Sequence, residues 1–343
     1  MRVAMYYSNK DVRLEETPKP RIGSGELLVR VMASGICGSD VLEWYRINKV
    51  PLVLGHEIAG VIEEAGAGVK KYKKGDRIAA SHHVPCGKCH YCLSAHQTVC
   101  ETLRKTNFDP GGFSEFVRIP KINIEQAGVY GLPETVSFEE ATFIEPLACV
   151  LRGQRLAGVK EGQTALVIGS GISGLLHIQL ARLKGARRII ATDIAEYRLE
   201  AAKRFGADFS FDAKEYTPQG LKDVNNGLLA DVVILCAGAK SAVEQALASV
   251  ERGGTVLFFA AAEKGLSVPS SINDIFWRNE VTLTSSYAAT PAEHLESLEI
   301  IRARGINARD MITHRFGLSE AGEGFKVVSE AKDSIKVVIE PQE

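Results

Sequence analysis

Leu27-Leu28-Val29-Arg30-Val31-Met32-Ala33 is an apolar, β-branched run bounded by Gly25 and Gly35, which predicts a strand. Ile58 to Ala65, ended by Gly66, predicts a second, and Gly75-Asp76-Arg77-Ile78-Ala79 opens a third after a turn. The chain reads as β-rich and irregular up to about residue 150. The first long helical period runs from Phe138 to Leu156, with Ser137 as N-cap and Glu139 and Glu140 in the first turn.

From about residue 160 the rhythm changes. Thr164–Ile168, Arg188–Asp193, Asp231–Cys236 and Gly254–Phe259 read as strands. Leu175–Leu183, Ala195–Phe205 and Ser241–Val250 read as helices between them. Strands alternating with helices of this length predict βαβ units and a parallel sheet. A helix from about Pro291 to Arg304 and a strand at Lys336–Ile339 follow. The α/β stretch interrupts the β-rich one. Residues 1–150 and 288–343 are therefore expected to form one domain and 151–287 a second.

Composition narrows the class of protein. The 343 residues are 45% hydrophobic and 24% charged, as expected of a globular chain with a sizeable core. A net charge of −1 gives no electrostatic case for nucleic acid or an anionic membrane as partner. No window approaches the roughly 18 apolar residues of a membrane span. Met1 runs into polar residues without an apolar signal region, so a cytoplasmic location is expected. The basic run Lys70-Lys71-Tyr72-Lys73-Lys74 reads as a solvated loop.

Four of the seven cysteines fall in Cys86-x2-Cys89-x2-Cys92-x7-Cys100. Without an export signal this grouping points to a metal before disulfides. Four thiolates can close a tetrahedral shell around zinc, which leaves no place for a substrate, so the site is structural. An iron–sulfur cluster is the rival for an all-cysteine shell. The lobe is expected at about residues 82–104, with His82, His83, His90 and His96 as exposed loop histidines. A second set is mixed: Cys37, His56, Glu57 and Glu145, the donor types of a catalytic zinc. Asp40 is the candidate acceptor for the second ring nitrogen of His56. Glu57 is either a direct ligand or a neighbouring carboxylate, and Glu145 before Pro146 is costly to bury unless paired or metal-bound. Ser39 is placed to start a proton path, and Cys149 reads as packing.

Gly169-Ser170-Gly171-Ile172-Ser173-Gly174 is a G-x-G-x-x-G between a predicted strand and a predicted helix, the context a dinucleotide loop needs. The glycines allow the turn, the approach of a pyrophosphate and close helix–strand packing. Asp193 ends the next strand, where a carboxylate binds a ribose 2′-hydroxyl and repels a 2′-phosphate, favouring NAD. Arg198 either lies on the adenine or accommodates a 2′-phosphate. An open zinc beside a nicotinamide implies alcohol–carbonyl interconversion, in which zinc acidifies the alcohol and hydride passes to the nicotinamide.

Gly35-Ile36-Cys37-Gly38-Ser39-Asp40, Gly55-His56-Glu57, Gly75-Asp76-Arg77, the four-cysteine lobe, Glu145-Pro146-Leu147, the glycine loop and Lys336 span the whole chain. Together they resemble the zinc-dependent alcohol dehydrogenases of the medium-chain dehydrogenase/reductase superfamily, most of all the sorbitol (polyol) and threonine dehydrogenase branch. The resemblance implies an α/β protein: a GroES-like β-rich catalytic domain and a Rossmann doubly wound domain, with the site in the cleft between them. It implies two zinc ions per subunit, one catalytic and one structural, NAD, and a homodimer or homotetramer. It makes Cys37 and His56 ligands, completed by Glu57 or Glu145. It places Ile172, Asp193, Arg198, Phe259, Ala260, Ala261, Ser286 and Tyr287 along the NAD, and Lys336 at the pyrophosphate. Glu43, Trp44, Phe113 and Tyr287 are the expected substrate pocket.

Three positions depart from the family pattern. Leu42 replaces a proton-relay histidine, Glu43 a pocket tyrosine and Ser286 a substrate-anchoring arginine. The expected substrate is a small secondary alcohol: a polyol, sugar alcohol or cyclic polyol. The alternatives are an amino alcohol such as threonine and a catalytically silent binding protein, which the intact ligand set argues against.

Overall fold

The structure is a computed structural model, and it describes residues 1–262, 265–268 and 272–343. The chain separates into two compact units. Unit 1 comprises Met1–Ala148, Ala288–Arg304 and Ala308–Glu343; unit 2 comprises Cys149–Tyr287 and Gly305–Asn307. Among the described residues no helix is long and apolar enough to cross a membrane.

Unit 1 begins with β1 (Arg2–Ser8), β2 (Asp11–Glu16), β3 (Leu27–Gly35) and β4 (Leu52–Val53). β5 (Glu57–Ala65), β6 (Arg77–Ala80), β7 (Phe116–Ile119) and β8 (Val129–Gly131) follow. Leu27, Val29 and Val31 alternate along β3 and bury one face against Ile58, Ile62, Ile78, Val117 and Ile119, the period-two pattern of a sheet with one core side. β3 and β5 pair antiparallel over their length, so that Gly35 stands opposite Glu57. This register brings the end of β3, just before Cys37, alongside the start of β5, just after His56.

The helical period from Phe138 is broken in two: Phe138–Ala141 and Ile144–Leu156. Pro146 is the reason. It has no N–H to give the Thr142 carbonyl, so one helix ends and the next starts with Pro146 in its first turn, where no donor is needed. Ser137 and Glu140 cap the first segment reciprocally.

Unit 2 holds β9 (Thr164–Ile168), β10 (Arg188–Asp193), β11 (Phe209–Asp212), β12 (Ala230–Leu235), β13 (Val250–Phe258) and β14 (Thr282–Ser285). They form a parallel sheet in the order β11-β10-β9-β12-β13-β14. β9 is buried at every position, as a central strand covered on both faces must be. β13 starts at Val250, earlier than the apolar pattern indicated, and the preceding helix is Lys240–Ala248. The order reverses between β9 and β12, and in such sheets ligands bind beyond the carboxyl ends of the strands at that point.

β15 (Ile312–Gly317) and β16 (Lys336–Glu340) return the chain to unit 1, β16 pairing with β3 through Val338–Gly35 and Ile339–Ser34. The helix Ala321–Glu330 between them was not legible in the apolar pattern. Its Phe325 has no exposed surface and meets Tyr6 and Phe113 with ring centroids 5.4 and 5.5 Å apart. Phe325→Ala is expected to cost about 3–5 kcal/mol, as emptying a buried aromatic site usually does. A lowered urea midpoint in circular dichroism would register it, and an unchanged midpoint would contradict this packing.

Candidate active site and metal centres

Cys37 caps the short turn Gly38–Val41 that follows β3, and Asp40 closes that turn. The Asp40 carboxylate has no exposed surface. It accepts the Cys37 backbone N–H at 3.1 Å, and it lies 3.5 Å from His56 Nδ1 and 3.4 Å from Arg46 Nη2. Burial pushes its pKa up, but the neighbouring His56 and Arg46 outweigh this and hold it below the ordinary value. In return Asp40 raises the His56 pKa well above its ordinary value against the cost of burial. With Nδ1 turned to Asp40, His56 offers Nε2 as its free nitrogen. The Cys37 sulfur, a His56 ring nitrogen and a Glu57 carboxylate oxygen all lie within 4.8 Å of one another. A thiolate, an imidazole and a carboxylate at this spacing fit zinc, and three protein donors leave a fourth position for substrate.

Glu145 stands outside that group; it is partly exposed in the first turn of Ile144–Leu156. Glu57 is buried and its Oε2 pairs with the ammonium of Lys336, which has no exposed surface. A Cβ at Gly35 would overlap both groups, so glycine is needed there. Lys336, expected at the pyrophosphate, has its ammonium enclosed and bonded to Glu57. Phe113, expected in the substrate pocket, has no exposed surface and packs against Phe325 in the core that holds Tyr6. Glu43 is exposed and accepts the Asn9 N–H at 3.1 Å, and Trp44 and Tyr287 are half exposed.

His82 and His83 are not exposed loop residues. Both are partly buried, and the His82 ring lies 4.7 Å from that of His56 and 3.7 Å from that of His83. Burial, with the other histidines nearby, depresses both pKa values, that of His83 to about 4. Their contacts with His56, Phe108 and Thr106 are not visible in the sequence, because those residues come from separate segments of the chain.

In the lobe, the Cys89 and Cys92 sulfurs are 3.6 Å apart and those of Cys86 and Cys92 4.0 Å. Two ligands of a tetrahedral zinc with bonds of roughly 2.3 Å stand about 3.8 Å apart, whereas a disulfide needs about 2.05 Å. The four sulfurs fall into one ligand group. Burial and the adjacent Cys89 push the Cys92 thiol up to about 12, while backbone N–H groups overcome burial to bring Cys100 down to about 6. Sulfurs this close repel one another as thiolates, and a divalent cation offsets that repulsion.

The glycine loop follows β9. Gly169 has φ +92° and Gly171 caps the helix Ile172–Leu183, which contains Ser173. A Cβ on Gly174 would overlap the Gly169 carbonyl, so the third glycine sets the helix-to-strand approach. Asp193 accepts the Ser170 N–H at 2.7 Å and the Ala195 N–H at 3.0 Å, fixing the loop to the end of β10. The Arg198 guanidinium lies 3.9 Å from the point a Gly171 Cβ would occupy. Phe259 and Ala260 donate their N–H groups to the Leu235 carbonyl just past β13. The Phe259 ring is turned onto His177, with centroids 4.6 Å apart. Ala261 and Ser286 lie beyond the carboxyl ends of β13 and β14. Free N–H groups at the helix start and an open Gly171 suit a pyrophosphate.

Comparison with known proteins gives a consistent result. The family described as the alcohol dehydrogenase GroES-like domain matches residues 23–128, and that described as zinc-binding dehydrogenase matches 173–303. Sorbitol dehydrogenase of Mus musculus is 31% identical over 96% of this chain and 92% of its own length. Galactitol-1-phosphate dehydrogenase from Escherichia coli is 27% identical with a TM-score of 0.87, covering 99% of this chain and 100% of that one. The 2R,3R-butanediol dehydrogenase from Bacillus subtilis is 25% identical with a TM-score of 0.86, covering 99% of each.

Two outcomes follow from this geometry. Asp40→Asn is expected to weaken zinc at the mixed site by about 10–100-fold while the four-cysteine site stays loaded, as metal titration against a chelator would show. Gly174→Val is expected to abolish NAD binding measured by calorimetry and to leave zinc content intact.

Proposed function

Because the chain belongs to the family of zinc-binding alcohol dehydrogenases, we propose that it transfers hydride between NAD(H) and a secondary alcohol or its ketone, with a polyol, sugar alcohol or cyclic polyol as substrate. The observation that carries this reading is the three-donor group Cys37, His56 and Glu57. The names of the three relatives share one chemistry: sorbitol, galactitol-1-phosphate and butanediol all carry hydroxyls on adjacent carbons.

In this reading Cys37, His56 and Glu57 hold the catalytic zinc, and Cys86, Cys89, Cys92 and Cys100 the structural one. Zinc, when bound, supplies a Lewis acid for the substrate oxygen, and NAD supplies the hydride acceptor. The chain's own residues do the positioning. Asp40 fixes the His56 ring so that Nε2 is presented, and the same carboxylate anchors the backbone of Cys37. Ser39 Oγ accepts a hydrogen bond from Arg46 Nη2 at 3.4 Å. The guanidinium beside that hydroxyl favours the deprotonated form of a nearby alcohol, and Ser39, which keeps its own O–H to donate, is the group from which the proton path would start. In unit 2, Gly169, Gly171 and Gly174 would cradle the pyrophosphate, and the charge of Asp193 at the end of β10 would disfavour a 2′-phosphate, which supports NAD.

The test follows NADH formation with polyols, simple secondary alcohols, sugar phosphates and threonine, before and after chelation. Polyol oxidation that is lost on chelation and restored by zinc is expected, with Cys37→Ser reduced to background while still folded. Unchanged turnover in Cys37→Ser would sink the catalytic-zinc assignment. Threonine as the preferred substrate would replace the polyol reading, and no turnover of any alcohol with zinc bound would point to a silent binding protein.

A further inference from the structure

His82 belongs to neither ligand group, yet it stands beside one of them. Its ring is held between those of His56, at 4.7 Å, and His83, at 3.7 Å, with Phe108 at 6.2 Å. His83 is itself fixed, its Nδ1 donating to the Thr106 carbonyl at 2.8 Å. Contacts with the His56 and His83 rings, tilted at 47° and 34° to its plane, thus hold the His82 ring without a ring hydrogen bond among the described residues. Its Nδ1 is buried and meets no partner among the described residues. A buried N–H without an acceptor is rarer and costlier than a bare acceptor. The ring proton therefore belongs on Nε2. His82 keeps some accessible surface although Nδ1 is covered, and its Nε2 is not among the enclosed, unpartnered atoms. The result is a held N–H donor, one ring away from a candidate metal ligand and bonded to nothing among the described residues.

We propose that His82 is a specificity-determining residue: its Nε2–H donates to the hydroxyl oxygen next to the reacting carbon, and so selects substrates with hydroxyls on adjacent carbons over mono-alcohols. This rests on the polyol dehydrogenase reading above. Once the reacting oxygen sits at the Cys37–His56–Glu57 centre, the second oxygen of such a diol is one carbon further on, and a ring whose centroid lies 4.7 Å from that of His56 stands beside it. Glu43, expected in the substrate pocket, is instead exposed and bonded to Asn9. A donor that stays unpaired when the second hydroxyl is missing discriminates more strongly than an apolar wall.

The test compares wild type, His82→Phe and His82→Gln on 2,3-butanediol, sorbitol and 2-butanol with NAD, checking zinc content of each. Phenylalanine keeps a ring in contact with His56 and His83 and removes the donor; glutamine keeps an N–H near the Nε2 position. In His82→Phe, kcat/KM for the two diols is expected to fall about 10–100-fold further than for 2-butanol, the loss of one hydrogen bond of roughly 1.4–2.7 kcal/mol. His82→Gln is expected to recover part of that selectivity. An equal fall on all three substrates, or zinc loss, would show a structural role and overturn the proposal, as would unaltered selectivity in His82→Phe. If wild type oxidises 2-butanol as well as the diols, His82 does not select; if it oxidises no alcohol at all, the polyol reading itself has failed.

Discussion

A single enclosed carboxylate orders the catalytic half of this molecule. Asp40 has no access to water, so its charge must be met from within, and it is met by a backbone N–H of Cys37, the ring of His56 and the guanidinium of Arg46. All of these groups lie between Cys37 and His56, in the turn after β3 and the approach to β5. Their convergence on one acceptor turns two separate ligands into a pair with fixed orientation. The raised pKa of His56 and the lowered pKa of Asp40 are two views of the same attraction.

The register of the sheet makes that convergence possible. β3 delivers Cys37 and β5 begins at Glu57, and their antiparallel pairing sets Gly35 opposite Glu57. β16 joins β3 on its other side, carrying Lys336 to the Glu57 carboxylate from 279 residues away. Two enclosed charges are tolerated only because they meet each other; removing one partner of such a pair typically costs about 3–5 kcal/mol. The pair also occupies one Glu57 oxygen, Oε2. Gly35 is part of the same arrangement, since any side chain there would fill the space the ion pair needs.

Unit 2 solves a different problem with the same economy of parts. Its loop must bring backbone close to a phosphate without the shield of side chains. Gly169 takes a backbone conformation that other residues avoid, Gly171 leaves the approach open, and Gly174 lets helix and strand close up. Asp193 then ties the loop to the neighbouring strand through the Ser170 N–H, so that the carboxylate belongs to the loop's structure as well as to its chemistry.

Local pattern carried much of this. The spacing of Cys86, Cys89, Cys92 and Cys100, the glycine loop between apolar strand and helix, and the ligand types at Cys37 and His56 are written in short stretches of chain, because each depends on neighbours in sequence. What depends on long-range pairing was not legible there. The break at Pro146 is local and readable in hindsight; the burial of Lys336, the enclosure of Phe113 by Phe325, and the packing of His82 against His56 are not. Each joins residues that are separate in the chain and meet only through the packing of strands, helices and loops, and strand register is itself fixed by the burial of whole faces. The sequence by itself determined which chemical groups this protein carries and the class of reaction they suit; the tertiary structure alone decided which charges are enclosed and which donors stay open, because enclosure is a property of packed surfaces and not of neighbouring residues.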